Sequence, residues 1–366
     1  MQKKLTLLNL VVTVMLLAGL VLAGCKPSPT PTPTEAPTEA PTEAPTEAPT
    51  EAPTEAPTEE ATPEPTEEAT PEPTEEPVAN AVLDAAAAYF PEGMKLITAE
   101  AVYENLNDGD ESNDPIILDI RKAEDYEQGH VPGAVHIGAA DIFTSEVLAA
   151  LPKDKQIVVY CYTGQTSGQV TAALNMLGYD AYSLKFGMPA WAIVSGPRWS
   201  DDMSMGYPLD TEVYEATEVY ALPDPLGATV EEAAAAYFGE GMKLITAEAV
   251  YENLNDGDDT NDPFILSICK PEDYEVGHLP GAVNIGAGAL FTEENLSNLP
   301  PDKQIVVYCY TGQTAGQVTA ALNMLGYDAY SLKFGVASWA IREGSPRWND
   351  DMSMGYPVDT EPHELP

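Results

Sequence analysis

One cysteine setting occurs twice in this chain. Ile157-Val158-Val159-Tyr160-Cys161-Tyr162-Thr163-Gly164-Gln165-Thr166 returns letter for letter at Ile305 to Thr314, around Cys309. In each copy a continuous β-branched run, which reads as a strand buried on both faces, ends at the thiol. A short loop with glycine at its middle follows. Ser167 to Leu177 then has helical spacing, with Val170, Leu174 and Leu177 on one face and Gly178 ending it. Such a loop can turn successive backbone N–H groups inward as an anion cradle. The helix behind it adds the positive end of its dipole. Donors aimed at a sulfur favour its thiolate, the nucleophilic form, and would equally hold the terminal sulfur of a persulfide, Cys–S–S⁻. The candidate nucleophiles are Cys161 and Cys309. The candidate binding residues are Tyr162, Thr163, Gly164, Gln165 and Thr166, with Tyr310, Thr311, Gly312, Gln313 and Thr314. The plain alternative is a buried, inert thiol, since free cysteine is often buried.

The elements that must position this thiol are legible around it. Gly93 to Leu106 recurs unchanged at Gly241 to Leu254, an offset of 148 residues. One inserted residue near Glu343 shifts later matches to 149, so Trp199 pairs with Trp348 and Tyr207 with Tyr356. A period this long is a duplicated domain rather than a solenoid. Within a copy, Asp84 to Phe90 reads as an alanine-rich helical turn or two, and Ala99 to Leu106 as a helix capped by Thr98. Pro115 to Ile120, Gly133 to Ile137, Gln156 to Tyr160 and Asp180 to Leu184 read as strands. Strand and helix in alternation mean a mainly parallel α/β sheet flanked by helices, and ligands of such sheets bind at the carboxyl ends of strands. The expected organisation is 80–210 for the first domain, 211–227 for an acidic linker and 228–360 for the second domain.

The residues carry a family resemblance. Asp119-Ile120-Arg121, Asp125-Tyr126, Gly129-His130-Val131-Pro132-Gly133-Ala134, Cys161 with its loop, and Lys185-Phe186-Gly187-Met188-Pro189-Ala190-Trp191 together resemble the rhodanese (thiosulfate sulfurtransferase) domain. The resemblance covers nearly all of both copies. It implies two tandem rhodanese-like domains in which Cys161 and Cys309 take a sulfane sulfur as a persulfide and pass it to a thiol or cyanide. It implies neither metal nor organic cofactor. Asp119 and Arg121 match the family's Asp-x-Arg element and read as a supporting ion pair. Related phosphatases have a longer loop ending in Arg. No Arg lies between Cys161 and Ser167, so a phosphate dianion would find no guanidinium and phosphatase chemistry is not expected.

The second copy departs from this pattern. Ser267 and Cys269 stand where the first has Asp119 and Arg121, so both charges are lost together. Cys269 reads either as a neutral core residue or as a resolving thiol for Cys309. Two rival readings of the whole stay open: a non-catalytic sensing or binding module that uses the same cradle, and a thiol-redox protein. His130 and His278 belong to the Gly-His-x-Pro-Gly turn, where a structural role is preferred to a general base. Trp191 and Trp339 read as core or rim packing, and Tyr162 and Tyr310 as the pocket mouth.

Charge and composition bound the partners. The chain has 59 acidic against 16 basic residues, a formal net charge of −43. That excess argues against nucleic acid, which needs a basic face, and against docking on anionic lipid. A field of that sign also slows anionic substrates such as thiosulfate, so polysulfide, a persulfide or a small organic thiol compound is as plausible a donor. Four Cys and four scattered His give no zinc-type spacing.

The N-terminus reads as an address. Lys3 and Lys4 precede an apolar run from Leu5 to Leu22, and the run ends in Leu22-Ala23-Gly24-Cys25. This is the layout of a signal peptide, and its ending resembles the lipobox of bacterial lipoproteins. The expectation is a signal peptide over 1–24, lipidation at Cys25 and an extracytoplasmic, membrane-anchored protein. A transmembrane anchor is the other reading. From Pro27 to Pro77 the sequence is almost only Pro, Thr, Glu and Ala, with no apolar side chain larger than Ala, and 25–79 reads as a disordered, extended stalk.

Overall fold

The computed structural model describes residues 80–365. The signal peptide, Cys25 and the stalk lie outside the described residues. Each copy folds around a five-stranded, wholly parallel sheet. The first comprises β1 (Leu96–Ile97), β2 (Ile116–Asp119), β3 (Val135–His136), β4 (Gln156–Tyr160) and β5 (Asp180–Leu184), in the order β1-β5-β4-β2-β3. The second repeats this with β6 (Leu244–Ile245), β7 (Phe264–Ser267), β8 (Val283–Asn284), β9 (Ile305–Tyr308) and β10 (Ala329–Leu332), in the order β6-β10-β9-β7-β8. The central β4 and β9 are the β-branched runs, buried on both faces as expected. The chain leaves β4 toward β5 on one side, while its other neighbour β2 leads away to β3. This divergence opens a crevice at the carboxyl end of β4, where Cys161 sits. The edge strands β1 and β6 have two residues each, too short to register as a period in sequence.

Four helices hold the copies together: α1 (Ala81–Tyr89), α2 (Gln165–Met176), α3 (Val230–Glu240) and α4 (Gln313–Met324). The first is capped by Asn80, whose side chain accepts the Leu83 amide. The third carries a capping box between Thr229 and Glu232. Sequence spacing implied one apolar face for α2, starting at Ser167. The helix starts two residues earlier and is buried on nearly every side, because its own sheet covers one face and α4 covers another. Gly168 and Gly316 make that crossing possible. A Cβ on Gly168 would lie 2.5 Å from the Gln313 carbonyl oxygen, and one on Gly316 2.4 Å from that of Gln165. The buried core is continuous across both copies. Phe90 stacks on Phe291 and Phe143 on Phe238, each pair with centroids 4.1 Å apart.

The copies also exchange their C-terminal tails. Met205 and Tyr207, which follow the first copy, donate backbone N–H groups to Ser338 and Trp339 of the second, each at 2.9 Å. Met354 and Tyr356 do the same to Ala190 and Trp191 of the first, each at 3.0 Å. The indole N–H of Trp191 donates to Pro357 O at 2.8 Å, and that of Trp339 to Pro208 O at 2.7 Å. Residues 205–210 thus belong to the first copy by sequence and pack on the second. The acidic 211–227 segment is also tied down: Tyr220 N donates to Ser297 O and Leu226 N to Met324 O.

Alanine normally stabilises a helix relative to glycine, but here the added carbon meets backbone that cannot swing aside. Gly168→Ala and Gly316→Ala are each expected to lower stability by about 1–3 kcal/mol, measured by thermal or denaturant unfolding. An unchanged or raised melting point would contradict the close helix crossing.

Candidate active site

Cys161 follows β4 directly and is 2% exposed; Cys309 follows β9 and is 3% exposed. The loop reverses at Gly164, whose φ of 82° is a left-handed conformation that glycine adopts freely. The turn brings the Gly164 amide to 3.1 Å from Cys161 Sγ, and the Ser167 amide follows at 3.4 Å. The second copy repeats this with Gly312 at 3.1 Å and Ala315 at 3.4 Å from Cys309 Sγ. Two backbone donors therefore converge on each sulfur at the start of a 12-residue helix. One of them, on Ser167 or Ala315, lies just beyond the five loop residues named from sequence. The Ser167 hydroxyl also sits 3.4 Å from Cys161 Sγ and 2.8 Å from Ser183 Oγ. Ala315 offers no counterpart.

A second glycine closes the loop from behind. A Cβ on Gly187 would fall 2.4 Å from Cys161 O and 2.7 Å from Thr163 N. Met188 N instead reaches Cys161 O at 2.9 Å, and Gly335 with Val336 repeats the contact at Cys309. Phe186 and Phe334, just before these glycines, have positive φ values of 66° and 64°.

The loop side chains divide their work. Tyr162 donates to Asp125 at 2.5 Å and accepts from Lys122 N at 3.1 Å. Burial, then the Asp125 contact, raises the phenol pKa. Tyr310 donates to Asp273 and accepts from Lys270 N in the same way. Gln165 turns away to the other copy, where its Oε1 accepts from Phe334 N at 2.8 Å. Gln313 Oε1 accepts from Phe186 N at 2.7 Å. Thr163 and Thr311 both line one cleft between the copies, walled by Phe186, Phe334, Trp199 and Trp348. The guanidiniums of Arg198 and Arg347 also border this cleft. Each is paired across the copies, with Asp350 and Asp201 respectively, both at 2.9 Å.

Asp119 and Arg121 form a buried ion pair at 2.7 Å, with both side chains fully enclosed. Asp119 also accepts from Tyr160 OH at 2.6 Å, so the pair braces the residue before the nucleophile. Arg121 donates onward to Gly129 O at 2.8 Å. In the second copy a different residue takes over this last role. Arg342 donates from Nη1 to both Asp273 O and Gly277 O, each at 2.6 Å. Gly277 is the counterpart of Gly129, and Val194 stands in the first copy where Arg342 stands in the second. The carboxylate has no such replacement: Asn284 bonds Ser267 O and Cys269 O, both at 3.0 Å. The sequence suggested that both charges had gone. The cation has instead moved to the far end of the domain, beyond the reach of position-by-position comparison.

Cys161, Cys269 and Cys309 are all free and buried. Burial, and next the neighbouring Cys309, pushes the Cys269 thiol up to about 12. His130 and His278 are fully buried in their turns and stack on Tyr126 and Tyr274 at 3.7 and 3.8 Å.

The family described as Rhodanese-like domain matches residues 98–193 and again 246–342, together more than half of the chain. The chain belongs to the rhodanese-like domain family, in two tandem copies. It is 41% identical over 70 residues to a tRNA sulfurtransferase of Pyrobaculum aerophilum, covering 19% of this chain and 14% of that one. It is 39% identical over 75 residues to a tRNA sulfurtransferase of Desulfurococcus amylolyticus, covering 20% and 14%. The chain thus spans only 14% of the length of these curated relatives. Among solved structures, a rhodanese-like domain protein from Staphylococcus aureus is 27% identical, covers 29% of this chain and 100% of its own, and gives a TM-score of 0.25.

The usual thiol pKa is about 8.5. Folded Cys269 stays neutral up to about 12, so its burial stabilises the fold fully below the usual value and loses that contribution as pH rises toward the upper one. Iodoacetamide at mildly alkaline pH is expected to leave Cys269 unmodified in the native chain and to alkylate it after unfolding, as read by peptide mass spectrometry. Labelling in the native state would refute this burial.

Proposed function

We propose that this chain is a sulfurtransferase in which Cys161 and Cys309 each carry a sulfane sulfur. The observation that supports this most is the pair of backbone N–H groups aimed at each sulfur, at 3.1 and 3.4 Å, at the end of a central strand in both copies. The cysteine thiolate attacks the sulfane sulfur of a donor such as thiosulfate or polysulfide. A new S–S bond forms to the cysteine, and the donor's S–S bond breaks with its electron pair leaving on sulfite or the shortened polysulfide. The product, Cys–S–S⁻, keeps its negative charge on the outer sulfur, where the same preorganised donors stabilise it. A thiolate or cyanide then takes the outer sulfur and returns the cysteine thiolate. The guanidiniums beside the cleft are already paired with carboxylates and the chain is strongly acidic, so binding of any anionic donor, thiosulfate or polysulfide alike, rests on the backbone donors of the loop.

Intact-mass measurement after adding thiosulfate or polysulfide tests this. The wild-type chain is expected to gain up to two sulfur atoms, lost again on adding cyanide. Cys161→Ser and Cys309→Ser should each remove one of them. A folded chain with free thiols that gains no sulfur from either donor would overturn the reading.

We also propose that the protein is extracytoplasmic and lipid-anchored through Cys25. Support comes from the basic start, apolar run and Leu-Ala-Gly-Cys ending, followed by the Pro-Thr-Glu-Ala stalk. Cys25→Ser is expected to block incorporation of labelled palmitate. A variant that still takes up the label would refute lipidation at this residue.

A further inference from the structure

The tail of the second copy ends against His130 of the first. Asp359 and His130 bond through their backbones, and Val135 pairs with His363. His130 Nδ1 lies 2.9 Å from Tyr126 O, and its Nε2 lies 3.1 Å from Glu361 O. Both partners are carbonyls, which only accept. A neutral imidazole can donate from one nitrogen alone. With the proton on Nδ1, the Nε2 lone pair faces the Glu361 carbonyl. A cation between them would satisfy both, as would a second ring proton.

The surroundings supply what such a centre would require. One donor atom each from His130, Asp359 and His363 lies within 4.8 Å of the others. His363 Nε2 and Asp359 Oδ2 are 3.0 Å apart. A tetrahedral ion with ligands at about 2.0–2.1 Å needs neighbouring donors roughly 3.3 Å apart. Two of the edges, 3.0 and 3.1 Å, which are also hydrogen-bond lengths, are close to that, and the three side-chain donors all stay within 4.8 Å of one another. The Nδ1–H bond to a backbone carbonyl is the usual outer support of a metal-bound histidine, fixing ring and tautomer.

We propose that a divalent transition-metal ion of the zinc class binds here, held by His130 Nε2, His363 Nε2, an Asp359 carboxylate oxygen and Glu361 O. Two imidazoles with two oxygens suit zinc and its first-row neighbours. Calcium and magnesium need more oxygen ligands. The ion clasps the exchanged tail of the second copy to the first. Sequence spacing could not reveal it, because His130 lies within the first copy and His363 beyond the end of the second.

The second copy is an internal control. His278, Asp210 and Tyr214 occupy the equivalent places. His278 Nδ1 lies 2.8 Å from Tyr274 O, while Nε2 has no partner. The Tyr214 hydroxyl donates to Asp210 at 2.6 Å, filling the carboxylate that would otherwise bind an ion. One substitution thus removes the site while leaving the local fold intact.

The test is titration of the full chain, stripped of metal, with Co²⁺ alone, followed by visible absorption and bound-metal analysis. Wild type is expected to bind one equivalent with a tetrahedral spectrum and to release it to Zn²⁺. His363→Tyr installs the residue that the second copy tolerates and should abolish that binding. Tyr214→His should raise the stoichiometry to two. Zn²⁺ should raise the melting point of the wild type but not of His363→Tyr. No Co²⁺ uptake by the folded wild type, or undiminished uptake by His363→Tyr, would overturn the site. A Tyr214→His chain that binds no additional Co²⁺ would overturn the assigned donor set.

Discussion

The backbone contact between α2 and α4 is the constraint on which the rest depends. Each helix presents a glycine to a carbonyl oxygen in the first turn of the other, and no other residue fits at that separation. These first turns are also where the cysteine loops end, so the contact sets the two loops beside each other. Hydrogen bonds then fix the alignment in reciprocal pairs. Gln165 and Gln313 cap the Phe334 and Phe186 amides. Tyr89 and Tyr237 donate to Gln317 and Gln169, each at 2.6 Å. Each bond contributes only about 1 kcal/mol net, but leaving such a group buried and unpaired costs more. The pairing therefore defines one relative position of the two copies.

Tail exchange extends the same logic outward. Trp191 and Trp339 are 1% exposed because each is covered by the other copy's tail. Tyr356 stacks on Tyr103 and Tyr207 on Tyr251, both at 3.9 Å, closing the two covers. The crossed Arg198–Asp350 and Arg347–Asp201 pairs lie on the surface, where ion pairs contribute little to stability. Their effect is electrostatic, since they neutralise the guanidiniums beside the shared cleft.

The two sites have diverged within this symmetric frame. The first keeps an ion pair that both partners bury completely, where loss of one partner alone would leave an uncompensated charge. The second has dropped that pair, brought in Arg342 from the distal loop and lost the hydroxyl that faces sulfur in the first. Both copies keep the backbone donors. That part of the site depends on chain direction and a glycine rather than on side-chain identity, so it survives substitution around it.

The sequence alone determined the duplicated α/β architecture, the central strands, the cysteines at their ends and the glycine that turns the loop. These are local: β-branched runs, helical spacing and a positive-φ residue act within a few positions of one another. Asp119 and Arg121 were expected as a pair from the resemblance of their Asp-x-Arg element to the family, and they stand two residues apart at one strand end. Tertiary structure alone decided the rest. The turning of Gln165 away to Phe334, the arrival of Arg342 at the Gly277 carbonyl, the shared cleft and the meeting of His363 with His130 all join residues far apart in the chain. No periodicity encodes such meetings, because they arise only once two helices touch at their glycines and carry the tails across.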